Sequence, residues 1–265
     1  MKNFTFVTLL LATLLISCQT STKEKVETPD ETTVSTKIDT SFVGLIESAH
    51  QKEKFLSHEA IQYDFNLLFG GKERMNGRFT LLTNSTKALI ELKNGSKMLY
   101  IHDKSYHTAD MEPSPKIRFD VYTWPYFFLF PYKLSDEGTV WSDYTSEDTT
   151  GLFDTKKLSF ESGIGDDPDD WYILYKNKAT NLIDHAAYIV TANKTVEEAE
   201  SKPSAIQYLK YEEIDGVPFA TEWVFWYWLK DQGLTKSKGN GQVTNIQFVD
   251  LEDDFFSPDG MVEIK

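Results

Sequence analysis

Ala60-Ile61-Gln62-Tyr63-Asp64-Phe65-Asn66-Leu67-Leu68-Phe69-Gly70-Gly71 is the stretch that decides the fold. Ile61, Tyr63, Phe65, Leu67 and Phe69 alternate with Gln62, Asp64 and Asn66. Successive side chains of an extended chain point to opposite faces, so this period of two makes one face apolar and the other polar. It predicts a half-buried strand, and Gly70-Gly71 predicts the turn that ends it.

The same pattern recurs downstream. Arg78–Leu82 opens the next strand. Lys87–Leu92 and Lys97–His102 flank Asn94-Gly95, the dipeptide best suited to a tight hairpin. Trp141–Thr145, Lys157–Glu161, Asp170–Tyr175, His185–Thr191, Ile206–Glu213, Phe219–Leu229 and Gln242–Leu251 continue the series, with Asp215-Gly216 as another turn. The links are too short for crossovers, so the strands are expected to run antiparallel. Upstream, Phe42, Leu45, Ile46 and Ala49 fall at helical spacing behind Thr40 or Ser41, either of which can cap a helix. Lys194–Lys202 is a short polar segment with helical character. Pro113, Pro115, Pro125 and Pro131 argue against a long regular element in the middle of the chain. The block Trp124-Pro125-Tyr126-Phe127-Phe128-Leu129-Phe130 is therefore expected as a short helix or loop packed on the sheet.

The N-terminus reads differently. Met1-Lys2-Asn3 leads into an apolar run from Phe4 to Ile16, shorter than the ~20 residues that a spanning helix needs. The run ends in Leu15-Ile16-Ser17-Cys18, an aliphatic residue three positions before a cysteine and a small one just before it. Cys18 is the only cysteine, so it has no disulfide partner. We expect residues 1–17 to be a signal peptide and Cys18 to carry lipid. Several acyl chains anchor stably where one does not, at about 0.8 kcal/mol per buried CH₂. Residues 19–37 are Thr, Ser, Glu and Lys with few apolar side chains, a composition that does not fold alone. They read as a tether of roughly 20–25 Å r.m.s. length. Residues 38–265 are expected to form one domain.

Cleavage after Ser17 would remove Lys2 and leave 26 basic against 41 acidic side chains, a formal charge of −15. Such a chain is repelled by nucleic acid and by anionic head groups. Nucleic-acid binding is thereby rejected, and attachment to a membrane falls to the lipid.

The order of elements resembles the LolA/LolB-like fold of bacterial lipoprotein carriers, and more closely an uncharacterised group of envelope lipoproteins with that architecture. The likeness rests on the Phe42–Ala49 helix, the Gly77-Arg78-Phe79 strand start, the Tyr100–Tyr106 hairpin arm, the Trp124–Phe130 insert where that family places a helical lid, and the Tyr211–Pro218 segment with its Ile214-Asp215-Gly216-Val217-Pro218 turn. It spans most of residues 40–257. The resemblance implies a mainly β, β-rich α+β chain. The architecture would be an incomplete antiparallel β-barrel of about ten or eleven strands, with an N-terminal helix and a helical or aromatic lid. It implies no catalytic residue. A lipid on Cys18 is what the acceptor member of the pair carries, whereas the soluble chaperone member lacks it. Gln19, in place of the Asp that favours inner-membrane retention, implies the outer membrane of a Gram-negative envelope, on a face that the sequence does not specify.

The chemistry-bearing residues form no catalytic pattern. There is no Gly-x-Ser-x-Gly, and His50, His58, His102, His107 and His185 match no zinc spacing. His102 and His107, five apart, would face opposite sides of a strand. Asp166-Asp167-Pro168-Asp169-Asp170 lacks the spacing of a calcium loop and reads as a solvated turn. No cofactor and no metal is expected.

The aromatic residues are more informative. Trp223, Phe225, Tyr227 and Leu229 lie on one face of their strand, Val224, Trp226 and Trp228 on the other. A strand with one wet face should not carry Trp on both. A filled core accounts for this most simply. The functional alternative is an apolar cavity between sheet and lid, lined by Trp124, Phe127, Phe128, Trp223, Phe225, Trp226 and Trp228. It would hold a lipid, an acyl chain or a lipidated peptide, and a charge at Trp226 or Phe128 would abolish fatty-acid binding. Two further readings are a glycan-binding platform of exposed rings and a scaffold subunit of an envelope assembly. None of these readings is an enzyme.

Overall fold

A computed structural model of the protein describes residues 39–264. The expected signal peptide, Cys18 and the tether lie outside the described residues. Ser41 caps α1 (Phe42–Ala49), its Oγ accepting from the Gly44 N–H at 3.0 Å. A left-handed Gln51 (φ 55°) then admits a second short helix, α2 (Lys52–Leu56), that the sequence pattern did not announce.

The sheet begins with β1 (Ala60–Phe69), where Ile61, Tyr63, Phe65 and Leu67 are buried and the residues between them are half-buried. Gly70 and Gly71, both at positive φ, turn the chain into β2 (Lys72–Leu82), which starts six residues earlier than Arg78. There follow β3 (Lys87–Leu92), β4 (Lys97–Ile101) and β5 (Lys104–Thr108). Beyond the central helix come β6 (Thr139–Asp143), β7 (Phe153–Phe160), β8 (Tyr172–Asn177) and β9 (Ile183–Tyr188). A five-residue helix (Val196–Glu200) opens on a capping box of Thr195 and Glu198. The chain closes with β10 (Ser204–Ile214), β11 (Val217–Leu229), β12 (Gly233–Val249) and β13 (Met261–Ile264). All thirteen join one open antiparallel sheet in the order β13-β5-β4-β3-β2-β1-β12-β11-β10-β9-β8-β7-β6. The sheet is an incomplete barrel with two strands more than expected, β5 and β13. Both are short, and they pair with each other. Among the described residues no helix is long and apolar enough to cross a membrane.

The middle of the chain departs from expectation. The prolines do not prevent a long element: Pro115–Leu129 is a fifteen-residue helix, α3, followed by a 3-10 turn at Phe130–Tyr132. Pro115 lies in the first turn, where an N–H has no intrahelical partner and its loss costs nothing, and Ser114 caps that end. Pro125 does remove an interior bond, a penalty of about 3 kcal/mol. Burial of Val121, Trp124, Phe127 and Phe128 outweighs it, at about 1.5–3 kcal/mol for a fully buried large apolar side chain. Pro131 leaves the Phe127 carbonyl without its i+4 donor. The Tyr208 hydroxyl donates to that carbonyl instead, at 2.9 Å.

α3 sits inside the concave face of the sheet. Phe128 stacks on Tyr63 (4.0 Å between centroids) and on Phe219 (5.4 Å). On β12, Gly239 and Gly241 stand beside Phe225 and Trp223 of β11. A Cβ at Gly241 would lie 2.7 Å from the Phe65 ring, so bare backbone there is what admits the rings.

His50 closes α1 against β9. Its Nε2 accepts the Ile183 N–H at 3.2 Å, and the ring is 1% exposed. Burial pushes its pKa from 6.5 down to about 3. The unfolded chain therefore binds the proton more readily between those values. This contribution to stability is complete above about pH 6.5 and is lost as pH falls toward 3. His50→Gln, which retains an acceptor, is expected to show a shallower fall in melting temperature than the wild type between pH 6.5 and 4. Parallel melting curves would remove His50 from the account.

Candidate functional site: a cleft beside the central helix

α3 is apolar on more than one face. Ile117, Val121, Trp124 and Phe128 recur at i, i+4, i+7 and i+11 and face the core. Phe119, Tyr122, Thr123, Tyr126 and Phe127 make a second stripe, and this one lines a cleft of about 640 Å³. A volume of that order is typical of ligand sites. The opposite wall is Phe160 of β7, Tyr172 of β8, Tyr188 of β9 and Val190 just beyond it. Tyr100, His102, Asp103, Lys133, Asp136, Glu137 and Thr139 complete the lining, and Tyr100 and Lys133 meet at Ser85, whose carbonyl and hydroxyl oxygens they respectively bond.

A loop crosses the mouth. Gly163 and Gly165 have φ of 85° and 71°, which glycine alone adopts without strain, and between them Ile164 projects onto Gly138. A Cβ at Gly138 would overlap the Ile164 side chain. Asp166 receives two hydrogen bonds from Arg118 of α3, both at 2.8 Å. Arg118 also donates to Ser105 Oγ at 3.3 Å and lies 5.0 Å above the Tyr122 ring. The acidic run thus has structural partners: Asp166 fastens the loop, and Asp170 Oδ1 accepts from the Thr191 N–H (2.7 Å) and hydroxyl (2.8 Å). Burial raises the Asp170 carboxyl to about 6, against the lowering effect of the Thr191 bonds.

The structure distributes the seven aromatic residues over three places. Phe127 alone lines the cleft. Trp124, Phe128, Trp223 and Phe225 are at most 5% exposed and belong to the filled core. Between Phe128 and Trp223 only about 20 Å³ remains, room for little more than a water molecule. Trp226 and Trp228 lie on the convex face of the sheet, with Trp228 packed against Ile173, Tyr175, Ala187 and Ala205. The alternation that puts them opposite Trp223 also keeps them from meeting Phe128, so among the described residues the seven do not line one cavity. The side chains that do line the cleft escaped notice because Phe119, Tyr122, Phe160, Tyr172 and Tyr188 are scattered over four elements. A signal was present: Phe119, Tyr122 and Tyr126 are a second helical stripe, visible once the segment is read as a helix.

The histidines of the hairpin arm also differ from expectation. His102 is in the β4–β5 turn at φ 56°, not on a strand, and buried His107 places Nδ1 2.9 Å from the Thr108 carbonyl oxygen.

No family model matches the sequence, and no curated protein matches it. Solved structures do. A DUF1329 family protein from Desulfovibrio piger superposes with a TM-score of 0.51 at 15% identity, over 80% of this chain and 95% of that one. A Vibrio parahaemolyticus domain, provisionally named as an outer membrane lipoprotein-sorting protein, gives 0.50 at 10% identity over 80% and 95%. The chain shares its fold with these two proteins. At these identities the likeness concerns the fold alone. A LolA superfamily protein from Nitrosomonas europaea aligns at a TM-score of 0.45 and 12% identity, over 80% of this chain and 97% of that one.

Proposed function

We propose that the chain is a non-enzymatic binding protein of the Gram-negative envelope, anchored at the outer membrane by lipid on Cys18, that holds a lipid, acyl chain or lipidated peptide in the cleft beside α3. The observation that carries this reading is the cleft itself: about 640 Å³ walled by eight Phe and Tyr rings in a LolA-like fold. Removing apolar surface from water contributes about 25 cal/mol per Å², so the cleft favours an apolar guest without any covalent chemistry. The provisional name of the Vibrio parahaemolyticus domain agrees with such a role.

The test is a titration with an uncharged, environment-sensitive fluorophore, displaced by dodecanol. Val190→Trp fills the cleft from its wall and is expected to weaken binding about tenfold or more. Trp226→Ala, on the convex face, should leave the affinity unchanged. Equal affinities of wild type and Val190→Trp, or no binding at all, would sink the proposal. The anchor has a separate test. Cys18→Ser is expected to move the protein from the membrane pellet to the soluble fraction, and retention in the pellet would remove the lipid from the account.

A further inference from the structure

The charged groups that line the cleft are mostly carboxylates. Asp170 uses Oδ1 for Thr191, and its Oδ2 takes no hydrogen bond among the described residues. Tyr172 is 7% exposed, lines the cleft, and its hydroxyl has no partner among the described residues. Around it stand Tyr126 and Tyr188, each 5.9 Å away between centroids, and Phe160 at 6.2 Å. The cations near the cleft are engaged. Lys133 Nζ holds Asp136 and Ser85, and Arg118 holds Asp166. Asp103, Glu137 and Asp167 add further carboxylates to the lining.

Among the described residues of the lining, an anionic head group would find Lys133 already paired and several carboxylates. An ammonium would find a carboxylate oxygen with no hydrogen bond to it and, in the same cleft, aromatic side chains of the kind that attract cations. We propose that the cleft takes an amphiphile with a protonated amine at its polar end, held by Asp170 among the rings of Tyr126, Tyr172 and Tyr188. This rests on the reading of the cleft as the site for an apolar ligand, and it specifies that ligand's head group. At pH 7.5, above the Asp170 value of about 6, the carboxylate carries the charge required.

The experiment compares dodecylamine, dodecanol and dodecanoate as competitors of the same uncharged fluorophore. It uses the full protein at pH 7.5 and 0.15 M salt, with each amphiphile below its micelle-forming concentration. The amine is expected to bind about tenfold more tightly than the alcohol, and the acid more weakly than either. Asp170→Asn, which keeps an acceptor for Thr191, should cut the amine-to-alcohol ratio to about threefold or less. Tyr172→Phe, which removes only the hydroxyl, should lower that ratio about threefold. A ratio unchanged in Asp170→Asn would assign the preference to the overall negative charge and overturn the inference. Dodecanoate binding as well as the amine would overturn it as well, with dodecanol binding leaving the apolar cleft in place. If none of the three competes, both proposals fall together.

Discussion

Trp223→Ala is expected to lower the unfolding free energy by about 3–5 kcal/mol, the range for deleting a large aromatic side chain from a packed core. Trp223 is 1% exposed, and its ring lies 4.8 Å from Phe65, 5.9 Å from Tyr208 and 6.5 Å from Phe128. Its Nε1 donates to the Ala220 carbonyl at 3.2 Å. The neighbouring backbone is set out around it: Gly241 on β12 has no side chain to collapse into the gap. The cavity would therefore stay open, and the cost should fall at the upper end of the range. Urea unfolding measures it through the shift in midpoint at constant slope. A loss below about 1 kcal/mol would mean that this part of the concave face is loosely packed, against the filled core described above.

Asp120→Ala is expected to cost about 2–3 kcal/mol for a different reason. Arg74 donates to both Asp120 oxygens, at 2.6 and 2.8 Å, and Trp124 Nε1 donates to Oδ1 at 2.9 Å. Asp120 is 5% exposed, and burial raises its pKa while Arg74 opposes that rise. Removing the carboxylate leaves a buried indole N–H without an acceptor and a guanidinium without its counter-charge. The Arg74 side chain is 33% exposed, so water recovers part of the loss and the estimate stays below the 3–5 kcal/mol of a fully buried pair. Asp120→Asn keeps an oxygen for Trp124 and should cost about half as much. If the two variants unfold at the same urea concentration, the charge of Asp120 rather than its hydrogen bond to Trp124 is what matters.

These residues show what can be read locally. The alternation from Ile61 to Phe69 is a property of neighbouring side chains, and it predicts both the strand and its buried face. Gly70-Gly71, Asn94-Gly95 and Asp215-Gly216 predict turns because few residues tolerate positive φ, and Ser41 predicts a helix start through its hydroxyl. The N-terminal helix and the antiparallel order of the strands follow from such short-range signals, whereas the incomplete closure of the sheet comes from the resemblance. The weak strands β5 and β13 follow from neither. Each is four or five residues long and is stabilised by pairing with the other, from Met261 opposite Thr108 to Ile264 opposite Ser105, far apart in sequence.

The full length of α3, of which only a short helix or loop at Trp124–Phe130 was expected, was illegible for a related reason. Proline penalties are local and count against a helix at Trp124–Phe130, whereas the burial that outweighs them is supplied by Tyr63, Phe219 and Trp223 from distant strands. Once the helix is in place, its stripe of Phe119, Tyr122 and Tyr126 becomes one wall of a cleft whose other wall comes from β7, β8 and β9. The sequence by itself determined which residues are extended, where the chain turns and which face of each strand is apolar, because those depend on periods of two and on φ preferences. The tertiary structure alone decided which aromatic faces meet. Sheet curvature sent Trp223 and Phe225 into a filled core, kept Trp226 and Trp228 on the far side, and left the open space beside Tyr126 and Tyr172.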